Sequence, residues 1–216
     1  GGCHGFAIQR VEVEVRVAGG MHVALRAVEP DGHVEQLEAA REDDMAGRVG
    51  QDHAHGLLGE GLCTDMRAVR KDYFLDHDHS VYVDQWDWER VITPEQRNLR
   101  FLKDVVDRIW KVLKGAETYI QGLFPKLATG SYPSLPDELT FLHAEDILDM
   151  YPDLPRKERE TKVLQKYPAI FIIGVGYPLK DGYPHENRAA DYDDWVTETR
   201  SDDGRPMHGL NGDILV

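Results

Sequence analysis

Residues 82–90 read YVDQWDWER, and the alternation in this stretch decides the fold class. Taken as a strand, Val83, Gln85, Asp87 and Glu89 point to one face and Tyr82, Asp84, Trp86 and Trp88 to the other. One face then carries two bulky aromatics, which read as core. The other lines up an amide and two carboxylates about 7 Å apart along the strand. A strand that only fills a core does not array polar groups in this way; a strand that floors a polar ligand pocket does. Upstream, CTDMRAVR (63–70) reads as the paired strand, joined through a loop over Lys71–Asp78. That pairing puts Arg70 at the hairpin end of the polar face, where a guanidinium would grip a phosphate bidentately. The alternative for Arg70 is a solvated surface arginine. Gln85 can donate and accept, and Asp87 can hold an ammonium group; the alternative for this pair is polar contact on a wet sheet face.

Working outward, Thr93-Pro94-Glu95-Gln96 is a capping box with proline at the first helical position. Leu99, Leu102, Val106, Ile109 and Leu113 follow at helical spacing, so a helix is expected to about Gly115, with a second short one over Ala116–Leu123. A Ser/Pro/Gly loop covers Gly130–Pro136. LTFLH (Leu139–His143) reads as a strand, Ala144–Tyr151 as a helix stopped by Pro152, and Arg156–Lys166 as a polar helix closed by Pro168. AIFIIGVG (Ala169–Gly176) reads as a buried strand. Asp181–Trp195 is acidic and loop-like. NGDIL (Asn211–Leu215) opens on a turn signal and runs into a strand. No βαβ rhythm is evident and there is no internal repeat, so the reading is α+β with a mainly antiparallel sheet.

The chain has 216 residues, enough for one domain with a real core, with 41% hydrophobic and 30% charged residues. Its formal net charge of −14 disfavours nucleic-acid and anionic-membrane partners, but a few placed arginines still hold a small anion. The longest apolar run, Ala169–Val175, is too short to span a bilayer, and residues 1–10 do not read as a signal peptide. Cys3 and Cys63 make no disulfide or metal framework, which makes a reducing cytoplasm the default.

Composition changes near residue 58. Residues 1–58 contain no Lys, Ser, Thr, Asn, Tyr or Trp, and all but Cys3, Phe6, Ile8, Met21 and Met45 are encodable by codons beginning with G or C. A GC-rich gene read in the wrong frame gives such a composition; so does a genuine Ala/Gly/Val/Glu-rich extension. The expected division is an atypical segment over 1–58 and a catalytic domain over 59–216. Within the first, VEVEVRV (Val11–Val17) alternates as a strand does, and HVEQLEAARED (33–43) reads as a short helix.

Four further patterns bear on chemistry. DHAH (Asp52–His55) and DHDH (Asp76–His79) look like metal ligands, but alternating Asp/His in a loop reads better as a polar turn. DYDDW (Asp191–Trp195) concentrates three carboxylates that would hold Mg²⁺, position a nucleotide or sit in water. Asp213 enters a strand, an unusual place for a carboxylate without a role. GVG (Gly174–Gly176) ends a strand and hints at a phosphate loop, although no GxxxxGK[ST] pattern exists.

GEGLCTDMRAVRKD, HSVYVDQWDWERV, YPDLPRKERE, RAADYDDW and GLNGDILV, in order from Gly59 to Val216, closely resemble ammonia-dependent asparagine synthetase, the aspartate–ammonia ligase family. The resemblance implies a fold like the catalytic core of class II aminoacyl-tRNA synthetases, an antiparallel sheet flanked by helices and incomplete here, working as a homodimer. It implies that L-aspartate is activated with ATP and Mg²⁺ to β-aspartyl-AMP and pyrophosphate, and that ammonia then displaces AMP to give L-asparagine. Arg70 falls on the arginine expected to stabilise charge on the α-phosphate. Gln85 and Asp87 fall on positions expected to hold aspartate, Asp87 its α-ammonium. Asp193 and Asp213 fall on active-site acids.

The departures are specific. The family's lysine-bearing WKR element ahead of GEGL has no counterpart in the lysine-free residues 1–58, and Tyr73 stands where the family carries an acid. The chain also stops before the family's acidic-serine segment and its Gly-rich strand with the last ATP-binding arginine. The expectation is therefore a ligase fragment with open sheet edges and poor stability. Its alternative function is a non-catalytic fragment that binds aspartate or AMP. A tRNA-synthetase-like paralogue is disfavoured by the acidic charge and by the lack of an anticodon-binding segment.

Overall fold

The computed structural model describes residues 9–15, 21–24, 61–69, 81–129, 134–188, 193–201 and 203–216; for residues 9–15, 21–24, 61–66, 68, 83–89 and 91 the description is of backbone alone. The central stretch forms β4 (Tyr82–Ile92), the middle strand of a three-stranded antiparallel sheet. On one side lies β3 (Gly61–Val69), in a register that pairs Val69 with Tyr82 and Gly61 with Arg90. The hairpin expected from sequence is thus present. On the other side lies β1 (Gln9–Val15), with Gln9 opposite Ile92 and Val15 opposite Trp86.

A second sheet has four strands in the order β2 (Met21–Ala24), β9 (Asn211–Leu215), β6 (Ile170–Ile173) and β5 (Thr140–His143). Its β2–β9 and β9–β6 pairs are antiparallel, whereas β5 and β6 run parallel. The parallel pair corrects the expectation that no crossover unit exists. Strand β5 leads into α2 (Ala144–Met150) and α3 (Arg156–Lys166) before β6, and two short helices supply the path a parallel connection needs. A small hairpin of β7 (Glu198–Arg200) and β8 (Pro206–His208) completes the described strands, and the architecture is α+β.

Strand β6 shows why this sheet is covered on both faces. Phe171 and Ile173 join one apolar cluster with Leu102, Val106 and Trp110 of α1 (Leu99–Leu123). Ile170 and Ile172 join another with Ile147 and Leu148 of α2 and Val163 of α3. Successive side chains on a strand point to opposite faces, so a continuous IFII run needs apolar cover on both. Phe171 meets Phe141 of β5 edge-on, with ring centroids 5.8 Å apart. Ile92, at the end of β4, is buried in the same α1 cluster that takes in Ile214 of β9, so one core serves strands of both sheets.

Three local readings are corrected. The 93–96 capping box holds only a single 3-10 turn, in which Gln96 accepts from the Thr93 backbone N–H at 2.9 Å. Helix α1 starts later, where the Asn98 side chain accepts from the Phe101 N–H at 3.0 Å. The two helices expected around Gly115 are one helix of 25 residues. A lone glycine costs a helix only about 1 kcal/mol, and Lys114 braces the turn by donating to Glu117 at 2.9 Å. Third, Asn211 and Gly212 are not a turn; they are the first residues of β9, and the bend falls at Gly209, where φ is +100°.

Residues of the atypical segment enter both sheets, as β1 against β4 and as β2 against β9. These pairings give β4 and β9 a strand on each side, and β1, β3, β2 and β5 are the edge strands of these two sheets. The expected helix at 33–43, both Asp/His turns and Arg70 lie outside the described residues, as do the side chains of Trp86 and Trp88. Among the described residues no helix is long and apolar enough to cross a membrane.

Candidate functional site

The chain leaves β6 through Gly174-Val175-Gly176, and the tight packing around both glycines requires them whatever the loop binds. Gly174 has φ +76°, and a Cβ on it would overlap His143 Nε2 and the His208 carbonyl oxygen. Gly176 has φ +106° and lies against the Trp195 ring and Arg188 Cβ. Tyr177 stacks on His208 at 3.7 Å between centroids and lies 6.3 Å from Trp195. This aromatic group and the close glycines hold the chain leaving β6 against His208 of β8 and His143 of β5.

Held in that way, Arg188 joins three carboxylates. Its Nη2 donates to Glu186 Oε2 at 2.8 Å and makes a short contact to Asp213 Oδ2. Its Nε lies 3.9 Å from Asp193 Oδ2. Asp193 is 4% exposed. Asp213 sits mid-strand on β9, in register with His22 of β2 and Ile172 of β6. Burying a carboxylate is expensive unless a cation or donors meet it, so one guanidinium between the two acids accounts for their proximity. The structure thus brings together Asp193 and Asp213, two of the acids expected from sequence, through a residue that sequence reasoning did not single out. The available signal was a lone arginine opening RAADYDDW, directly ahead of three carboxylates.

The neighbouring acid has a different part. Asp194, 5% exposed, takes two hydrogen bonds on Oδ2 from Arg97, from Nε at 3.0 Å and Nη2 at 2.6 Å. It also accepts from the Thr197 backbone N–H at 3.1 Å and from the Thr197 hydroxyl at 2.8 Å. Asp194 therefore fastens this loop to the start of α1. Consecutive backbone positions point apart, so the acidic run splits into one carboxylate turned to Arg188 and one turned to Arg97.

A second buried polar contact stands behind the loop. His143, 8% exposed, accepts from the Glu145 N–H on Nδ1 at 3.1 Å, so Nε2 carries the proton and donates to the His208 carbonyl at 2.7 Å. Burial holds this imidazole below the usual histidine range, against the raising effect of the His208 carbonyl. Asn211, fully buried, donates to the Val175 carbonyl at 2.9 Å. Neither residue was singled out in the sequence.

The other expected residues belong to the first sheet. Gln85 and Asp87 lie on β4, with Met66 and Thr64 as their β3 partners, and Asp87 also lies opposite Glu14 of β1. Their side chains and Arg70 lie outside the described residues, so no distance joins them to Asp193 or Asp213. Among the described residues no group of three His, Cys, Asp or Glu is gathered, and Asp193 and Asp213 both face a guanidinium.

A sequence model of the aspartate–ammonia ligase family matches residues 49–216. The chain belongs to that family. The match begins ahead of Gly59 and takes in β3 through β9, and with them Arg70, Gln85, Asp87, Arg188, Asp193 and Asp213. Membership of the aspartate–ammonia ligases makes the protein a member of a ligase family that forms asparagine and uses ATP.

Proposed function

We propose that this chain activates L-aspartate with ATP and transfers the aspartyl group to ammonia. The aspartate β-carboxylate attacks the α-phosphorus, the bond to pyrophosphate breaks, and β-aspartyl-AMP forms. Ammonia then attacks the acyl carbon, AMP leaves and a proton is lost, giving L-asparagine. The observation that carries this reading is the family match over residues 49–216, which spans the Arg188-held acids Asp193 and Asp213.

In this reading Arg70 neutralises charge developing on the α-phosphate, an interaction of the kind that contributes most to such reactions. Gln85 and Asp87 hold the substrate aspartate, Asp87 at its α-ammonium. Asp193 and Asp213, oriented by Arg188, serve the nucleotide or the incoming ammonia. The same reading takes the fold as class II synthetase-like, the working unit as a homodimer and the compartment as the cytoplasm. Mg²⁺ would accompany the ATP phosphates, and no step is assigned to it.

The test is AMP release measured with aspartate and ammonia each present and absent, with asparagine identified as product. Release that needs both supports the reading. Binding of aspartate or AMP in calorimetry without any turnover would replace it with a non-catalytic binding role, a reading favoured by the absence of lysine from residues 1–58.

A further inference from the structure

The loop that carries Arg188 is fastened to α3 at two consecutive residues. His185 is buried, and its Nε2 lies 2.9 Å from Glu160 Oε1. Glu186 Oε1 lies 2.7 Å from Arg156 Nη1. Arg156 and Glu160 are four positions apart in α3, so they share one face of that helix. The helix is itself fixed, because Val163 is buried in the apolar cluster with Ile147 and Ile172. Both anchors therefore belong to a packed element and not to another loop.

Glu186 joins that element to the guanidinium between the acids. One of its oxygens faces Arg156, and the other accepts from Arg188 Nη2 at 2.8 Å. The same Nη2 contacts Asp213, and Nε of the same group lies 3.9 Å from Asp193. Glu186 is thus a third carboxylate beside one cation, which on charge alone weakens the hold of that cation on the other two. Arg156 offsets the third charge, so Glu186 acts on the geometry of the group without adding net charge to it. A guanidinium is a rigid planar fork, and a carboxylate fixed on one of its nitrogens limits the angle at which the others meet further acids. We propose that Glu186, anchored by Arg156, is a positioning residue that sets the angle of the Arg188 fork against Asp193 and Asp213. The proposal rests on the reading of those two acids as part of the reacting site. Arg156 acts through Glu186 and Arg188 in turn.

The experiment has two arms, both on the full chain. The first is NMR of the Arg188 Nε–H signal in protein ¹⁵N-labelled at arginine, assigned by its loss in Arg188→Lys. Glu186→Gln and Arg156→Gln are each expected to shift or broaden that signal, and Arg156→Lys, which keeps the charge, to do so less. An Arg188 signal that is the same in the native, Glu186→Gln and Arg156→Gln proteins overturns the proposal. The second arm is AMP release dependent on aspartate and ammonia. In both glutamine variants kcat is expected to fall roughly tenfold, with KM for aspartate changed less than about twofold. Arg156→Lys is expected to recover part of the loss. Tm is expected to move by no more than about 3 °C, because a partly exposed ion pair contributes little to stability. Native kcat in both variants overturns the proposal, as does a loss of rate that only follows a large fall in Tm. A native chain without turnover would defeat the proposed reaction, and the first arm would still decide whether Glu186 and Arg156 hold the fork.

Discussion

Arg188 and Asp213 pair across the gap between the loop after β6 and the middle of β9, and Asp193 approaches the same guanidinium at Nε. One cation therefore sets the positions of two acids that come from separate elements. Replacing Arg188 with alanine is expected to lower aspartate- and ammonia-dependent AMP formation by at least roughly 100-fold, the scale seen when a fixed charged partner is removed from a reacting site. Lysine at 188 keeps the charge but not the fork, and is expected to recover only part of the loss. Steady-state rates of both variants check this; wild-type turnover by Arg188→Ala would remove these acids from the mechanism.

Asp194 is expected to matter for stability and not for chemistry. Alanine there strands Arg97 and frees Thr197, and breaking a pair with one side buried costs about 3 kcal/mol. For a chain of this length that corresponds to a fall in Tm of about 6–12 °C. Calorimetry compares Asp194→Ala with the native chain. A change under a degree would mean that the Arg97 contact contributes nothing.

The His143 clasp predicts a pH dependence with a definite sign. The folded-state pKa lies below the ordinary value of 6.5, so the unfolded chain takes up the proton first as pH falls. The stabilising contribution is fully present above about pH 6.5 and declines below it, until the lowered folded pKa is passed. Protonating Nδ1 also removes the acceptor that caps α2. Urea midpoints measured from pH 8 to 5 are expected to fall over the acid part of this range. His143→Gln is expected to be less stable at pH 8 and to show a shallower slope. Parallel slopes for the two proteins would assign the pH effect elsewhere.

Glycines divide into two groups with opposite predictions. Gly174→Ala puts a methyl group into His143 and the His208 carbonyl at a φ of +76°. Loss of soluble folded protein is expected, and this shows in expression and circular dichroism. Gly115 and Gly122 lie in α1 with open space where a Cβ would sit. Alanine at either is expected to stabilise by about 0.5–1 kcal/mol through helix propensity alone, raising the urea midpoint.

What could be read in the sequence follows the range of the interactions involved. Alternation around Trp86 and Trp88 reveals β4 and its β3 partner because a strand's period is local, and the burial of Ile170–Ile173 is written as an unbroken apolar run. Asp213 stands out as a carboxylate entering a strand, whereas Asp193 is separated from its acidic neighbours only by the family resemblance. Arg188 did not, because its importance comes from bonding a residue 25 positions away, and no periodicity records that. Asp194 looked equivalent to Asp193 for the same reason; only the arrival of Arg97 separates them. The continuity of α1 through Gly115 was hidden because a propensity penalty of about 1 kcal/mol is small beside the burial of Leu102, Val106 and Trp110.

The pairing of β2 with β9 has a kinetic consequence. Met21 meets Ile214, so a strand from one end of the described chain closes on a strand from the other. Ordering such a distant pair sets a large chain-entropy barrier before any contact repays it, and folds dominated by such contacts assemble in milliseconds to seconds. Until β9 docks, β6 shows a bare edge and the α1 cluster lacks Ile214. Residues 211–215 are the last described strand to be synthesised, so the edge of β6 is closed only once nearly all of the described chain has been made.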